Sequence, residues 1–205
     1  MSSAAIEMRD DHLLPAPSNP KEQVGWWGMV IFLLNEGALF ASLIASYFYL
    51  GLENKFWPPA GTPKPELELP LIMTAVLLSS SVTCFLAEQA HKRGSAIKYR
   101  LGTLVTMLLG VVFLLIQARE YHEKLKHAGP TEHAYESIFF TITGLHGIHV
   151  AFGVLFLGWA LLREWRGTAP PRYPLAIKNA SIYWHFVDGV WLVILTSLYL
   201  SPRWY

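Results

Sequence analysis

The sequence predicts an all-α integral membrane protein, a bundle of five transmembrane helices with its N-terminus inside and its C-terminus outside. Three observations predict it. Of 205 residues, 53% are hydrophobic and only 15% charged, against about 25% charged in soluble domains. Five apolar stretches reach the roughly 20 residues that a spanning helix needs. Lys and Arg gather on alternate connectors, as they do on the cytoplasmic side of membrane proteins.

The elements follow in order. Met1 to Val24 is polar, carries Pro15, Pro17 and Pro20, and lacks a signal peptide's short apolar core and small-residue cleavage site. It is read as a retained tail, 1–24, ahead of a five-helix domain, 25–205. Spans are predicted at Gly25 to Leu52, Pro70 to His91, Lys98 to Glu120, Glu136 to Arg163 and Ile177 to Leu200. The first and fourth exceed the bilayer core and are expected to tilt or protrude. The connectors "FWPPAGTPKPELELP", "KRGSAIK", "YHEKLKHAGPTEHAY" and "RGTAPPRYP" read as loops, because their proline and glycine pairs do not continue a helix. With the N-terminus inside, the tail and the second and fourth loops hold ten Lys and Arg, and the opposite side holds six.

Helices in lipid associate through small residues four apart. Ala38, Ser42 and Ser46 in span one, Gly102, Thr106 and Gly110 in span three, and Gly147 with Ala151 in span four predict packing faces. No internal repeat suggests alternating access. The net charge of +1 gives no basic surface for nucleic acid, and the lone Cys84 permits neither a disulfide nor a cysteine zinc site within the chain.

An ionisable side chain inside a membrane costs at least about 2.5 to 3.5 kcal/mol on insertion scales, so each one needs a partner or a role. Glu36 lies eleven residues into span one, flanked a turn away by Phe32 and Phe40. It is either a protonatable, lipid-contacting carboxylate or a structural carboxyl hydrogen-bonded to another span. His146 and His149 share a helix face at a spacing that can chelate a metal, or they hydrogen-bond between helices. His185 and Asp188 are three apart and can satisfy each other or a neighbouring helix. Trp184 and Trp191 beside them read as anchors at the membrane interface, and Arg119 and Glu120 as residues that snorkel out of span three. The eight histidines are spread over tail, loops and three spans, without the dense clusters of membrane di-iron enzymes.

The motif "YWHFVDGVW" resembles the last-helix signature of subunit III of the haem-copper oxidases, the cytochrome c oxidase family. "NEGALFASLIASYFY", "WPPAG", "ELPLIMTAVLLSSSVT", "QAREYHE" and "TGLHGIHV" match the same family in order, so the resemblance covers Gly25 to Tyr199. Longer members carry two further spans ahead of the matched region, which enclose a lipid-filled cleft. The resemblance implies a subunit with no redox metal of its own, docked in the bacterial cytoplasmic membrane against catalytic subunit I, which carries haem and copper. Subunit II, small subunits or a respiratory supercomplex are the further implied partners, and structural phospholipids the implied ligands. It implies support of proton uptake, protection against turnover inactivation and a part in guiding oxygen inward. Glu36 matches the family's carbodiimide-reactive carboxylate, and Arg163 falls near a lipid-headgroup arginine. Glu120, His146, His149, His185 and Asp188 fall on recurrent polar positions, where the resemblance favours a structural role. Quinol oxidases and nitric oxide reductase-associated proteins use a similar subunit. An autonomous channel or transporter is the alternative from another class.

Overall fold

A computed structural model describes residues 20–54, 57–59, 67–126, 129, 133–167 and 175–203, without the side chains of 20–23 and 203. Five long helices form: α1 (Pro20–Glu53), α2 (Glu68–Lys92), α3 (Ala96–Lys124), α4 (Ala134–Trp165) and α5 (Leu175–Ile194), with α5 continuing as a π-helical segment over Leu195–Leu200. All five are long and apolar enough to cross a membrane. Helices α1 to α4 outrun their predicted spans at both ends, while α5 starts two residues early and, with its π-helical segment, ends at the predicted Leu200. The largest difference is at α1, which begins at Pro20, since proline lacks the N–H that the first turn leaves unsatisfied anyway. The first 19 residues of the predicted tail, and the loop positions 60–66, 127–128, 130–132 and 168–174, lie outside the described residues.

The connector from α2 to α3 shortens to Arg93, Gly94 and Ser95. Gly94 adopts φ +77°, and its N–H and that of Ser95 reach back to the His91 and Ala90 carbonyls at 2.9 Å each. A side chain is strained in that left-handed conformation, so glycine closes the turn. The resulting hairpin is tight: a Cβ on Gly102 of α3 would come within 2.8 Å of Ala87 Cβ on α2.

Helices α2, α3, α4 and α5 form a ring in which each packs on the next and α5 closes back on α2, while α1 lies outside it against α4 and α5. The middle of the ring is filled by the Trp184 indole of α5, which is fully buried. One end of the ring system faces α3, 2.6 Å from where a Gly110 Cβ would stand, and its other edge lies 2.8 Å from the same position on Gly153 of α4. Its N–H donates to Ser80 Oγ on α2 at 3.0 Å. Two turns along α5, Trp191 repeats the arrangement, donating to Thr74 Oγ1 on α2 at 2.9 Å and packing edge-on against Phe113 of α3. Both tryptophans are therefore core residues, which corrects their reading as interface anchors. Their polar edges are satisfied by α2 hydroxyls instead of lipid headgroups.

The predicted packing faces divide. Those of α3 and α4 are used, Gly110 against Trp184 and Gly147 against Gln117. The face of Ala38, Ser42 and Ser46 on α1 is turned outward instead. Both hydroxyls there bond to carbonyls of their own helix four residues back, at 2.8 and 2.9 Å, so the face needs no partner for them.

Candidate functional site

Glu36 sits about 18 Å into the α1 span that starts at Val24, on the side turned toward α4. There its Oε2 meets His149 Nε2 at 2.9 Å, with the carboxyl side chain 20% exposed and the ring 11%. His149 Nδ1 lies 2.8 Å from the Leu145 carbonyl. A carbonyl only accepts, so Nδ1 carries a hydrogen, and the proton count of the other contact follows. Either a charged ring donates Nε2–H to a carboxylate, or a carboxyl O–H donates to a neutral ring. Both arrangements hold one proton between the two residues and leave the pair neutral overall. That suits a membrane interior, where a bare charge is costly.

Aromatic rings wall the pair. Phe40 stands edge-on to His149 at 5.1 Å, and Phe32 stacks on Tyr183 at 6.2 Å. The Tyr183 hydroxyl donates to the His149 carbonyl at 3.1 Å, which ties α5 to the same turn of α4. The two open readings of Glu36 thus meet in one geometry: a carboxyl bonded between spans and still partly open to the outside.

His146 does not join its neighbour. It is fully buried among Phe40, Phe113 and Trp191, and neither ring nitrogen has a hydrogen-bond partner among the described residues. Among the described residues no three of His, Cys, Asp and Glu converge as a metal-binding group.

The other predicted residues are placed as follows. Glu120 turns inward, 5% exposed, accepting from the Tyr199 hydroxyl at 3.0 and 3.2 Å and pairing with Lys124 at 3.4 Å. Of its two readings, the snorkelling one is corrected, since the carboxyl is buried and bonded inside the bundle; Arg119 does face outward. His185 and Asp188 approach to 3.8 Å, while His185 Nδ1 is closer to Ser81 Oγ on α2, at 2.7 Å. His185 stands ten residues into α5, well inside the helix. Arg163, in the last turn of α4, places its guanidinium 5.1 Å over Trp159.

Several contacts escaped the sequence reading. The α2–α5 seam is closed by Ser181 donating to Glu88 at 2.6 Å, with Lys92 pairing to the same carboxylate at 2.7 Å. The α2–α4 diagonal is closed by His91 and Glu164 at 3.4 Å. Glu88 and Lys92 at i, i+4 were a legible pair; a serine on another helix is not announced by any local pattern.

A five-helix polytopic membrane protein with a carboxyl–imidazole pair joining two of its helices inside the membrane span is the class defined by this fold and site. The sequence profile of the family described as cytochrome c oxidase subunit III matches residues 19–203. Relatives with the name cytochrome c oxidase subunit 3 include those of Oryctolagus cuniculus and Gallus gallus, 35% and 36% identical over 179 residues, each match covering 84% of this chain and 68% of the relative. That of Synechocystis sp. is 34% identical over 178 residues, covering 85% of this chain and 74% of the relative. The chain belongs to the cytochrome c oxidase subunit III family. It is thus an integral membrane subunit of a multi-subunit haem-copper oxidase, an oxidoreductase complex.

Proposed function

We propose that this chain works as the subunit of a respiratory terminal oxidase that holds no redox centre itself, and that Glu36 and His149 are its functional pair. Haem and copper belong to catalytic subunit I and its neighbour subunit II, and the assembly reduces oxygen with electrons from cytochrome c. The observation that carries the reading is the one-proton Glu36–His149 contact at the edge of the ring, in a chain matched to the family along nearly its whole length. A proton can cross the 2.9 Å between the two atoms without changing the net charge of the pair. The pair therefore fits a role in supporting proton uptake by the catalytic subunit, and its loss is expected to hasten inactivation during turnover. Structural phospholipids lie against the outside of α1, where Glu36 is part-exposed, with Arg163 as a headgroup contact. The excess of Lys and Arg in the tail and in the second and fourth loops supports an inside N-terminus, in a bacterial cytoplasmic membrane.

The test is purification of the tagged chain in mild detergent, followed by an optical spectrum and oxygen uptake with reduced cytochrome c or with quinol. Haem bands and cytochrome c-driven uptake are expected. Glu36→Leu and His149→Leu enzymes should lose activity over fewer turnovers than the parent enzyme. A colourless chain without partners refutes the reading, and quinol-driven uptake alone refutes the donor.

A further inference from the structure

Where α5 meets α2, a second polar group lies apart from the Glu36 pair. Asp188 is 4% exposed, yet neither carboxyl oxygen has a hydrogen-bond partner among the described residues. His185 Nδ1 stands 3.8 Å from Oδ2 and shares its hydrogen bond with Ser81 Oγ. That leaves His185 Nε2, which makes no hydrogen bond among the described residues, on a side chain 36% exposed.

Depth makes this unusual. His185 is about 15 Å from the start of α5, and Ser81 about 20 Å from the start of α2, so both lie near the middle of their spans. Acyl chains there offer neither donor nor acceptor. One turn past His185, Gly189 is exposed, and a Cβ on it would meet nothing within 4 Å. A smooth, open position beside a hydrogen-bonding side chain is how membrane helices admit another helix closely. The outward faces of α3 and α4 differ: they carry Leu108, Leu115 and Leu155, each about two-thirds exposed, which suit lipid.

We infer that the α2–α5 seam around His185 is a docking surface for a transmembrane helix of a neighbouring oxidase subunit, one that presents a hydroxyl, amide or carboxyl group to His185 Nε2. Ser81 and Asp188 hold the ring from behind so that this nitrogen faces the partner. The inference rests on the subunit reading above and adds the face by which the subunit is held.

The test uses the whole oxidase in membranes, with p-benzoylphenylalanine in place of Leu192 of α5 and, separately, of Phe85 of α2, both exposed beside the notch. After irradiation, the tagged chain is purified and its adducts identified by mass. A covalent adduct to a second oxidase subunit at both positions, with haem co-purifying, is the expected result. Phospholipid adducts alone, with haem still co-purifying, overturn the seam assignment and leave the subunit reading standing. Absence of haem from the unmodified tagged chain overturns both. As a second readout, His185→Leu should weaken retention of the subunit through detergent by about three- to tenfold, the scale of one interhelical hydrogen bond in a membrane. His185→Gln, which keeps a donor and an acceptor, should restore it. Equal retention for all three overturns the proposal.

Discussion

Gly110→Ala is the most direct probe of the way the ring is filled. The added Cβ would stand 2.6 Å from Trp184 Cη2 and 2.8 Å from Val154 Cγ2, where ordinary contact begins at 3.4 Å. One of the neighbours has to move by about 0.8 Å. The indole is confined, since it lies so near the Gly153 backbone that a Cβ there would stand 2.8 Å from it, and its N–H is held by Ser80. Helix α3 must then give way, and overpacking of this kind costs about 1–3 kcal/mol. Gly28 supplies the control: it is exposed on α1 with nothing within 4 Å of its Cβ position, so Gly28→Ala should be neutral or slightly stabilising. Reversible unfolding in mixed micelles, followed by tryptophan fluorescence, measures both. If Gly110→Ala lies within about 0.5 kcal/mol of Gly28→Ala, a value ordinary for a surface substitution, the tryptophan does not hold the ring at fixed spacing and the packing argument fails.

Three further substitutions test the polar contacts. Glu36→Gln keeps a donor for His149 Nε2 and should stay within about 0.5 kcal/mol of the parent, whereas Glu36→Leu should cost about 1–3 kcal/mol; equal losses by the same unfolding assay would show that the contact at 2.9 Å is not the source. Tyr199→Phe removes the hydroxyl that Glu120 accepts and should destabilise by about 1–3 kcal/mol. That loss should shrink when Glu120 is already Leu, which accepts no hydrogen bond, and a double-mutant cycle without coupling would dismiss the bond. His146→Leu runs the other way: it removes two unpaired ring nitrogens from an apolar pocket and should be neutral or stabilising. A loss above about 1 kcal/mol would mean that the imidazole has a partner, such as a bound water.

The five spans were legible because length and hydropathy are local properties, and the bilayer sets the same demand on each. Glu36 was legible as a buried carboxyl for the same reason. Its partner was not, because His149 is 113 residues away and the choice of helix neighbours is made by packing in three dimensions. Trp184 and Trp191 show a different failure. Tryptophan favours membrane interfaces, so the general tendency pointed outward. The seven-residue spacing of the two rings, with small residues at Gly110 and Gly153 to receive one of them, carried the opposite message. Ala38, Ser42 and Ser46 form a pattern that fits helix packing, but a pattern names neither the partner nor the side it comes from. Among the described residues the face is unused.

The placement of α1 has a consequence for how the protein is made. Of the five helices α1 is made before the other four, yet it lies chiefly against α4 and α5, and the hydrogen bond of Glu36 spans 113 residues. At roughly 5–20 residues per second, translation separates the two partners by about 6 to 23 s. Through that interval the carboxyl of α1 exists without His149. The ring of α2 to α5 closes around Trp184 only when α5 arrives, and with it the groove that receives α1. A nascent chain halted before α4 therefore carries the carboxyl of α1 without the imidazole that shares its proton.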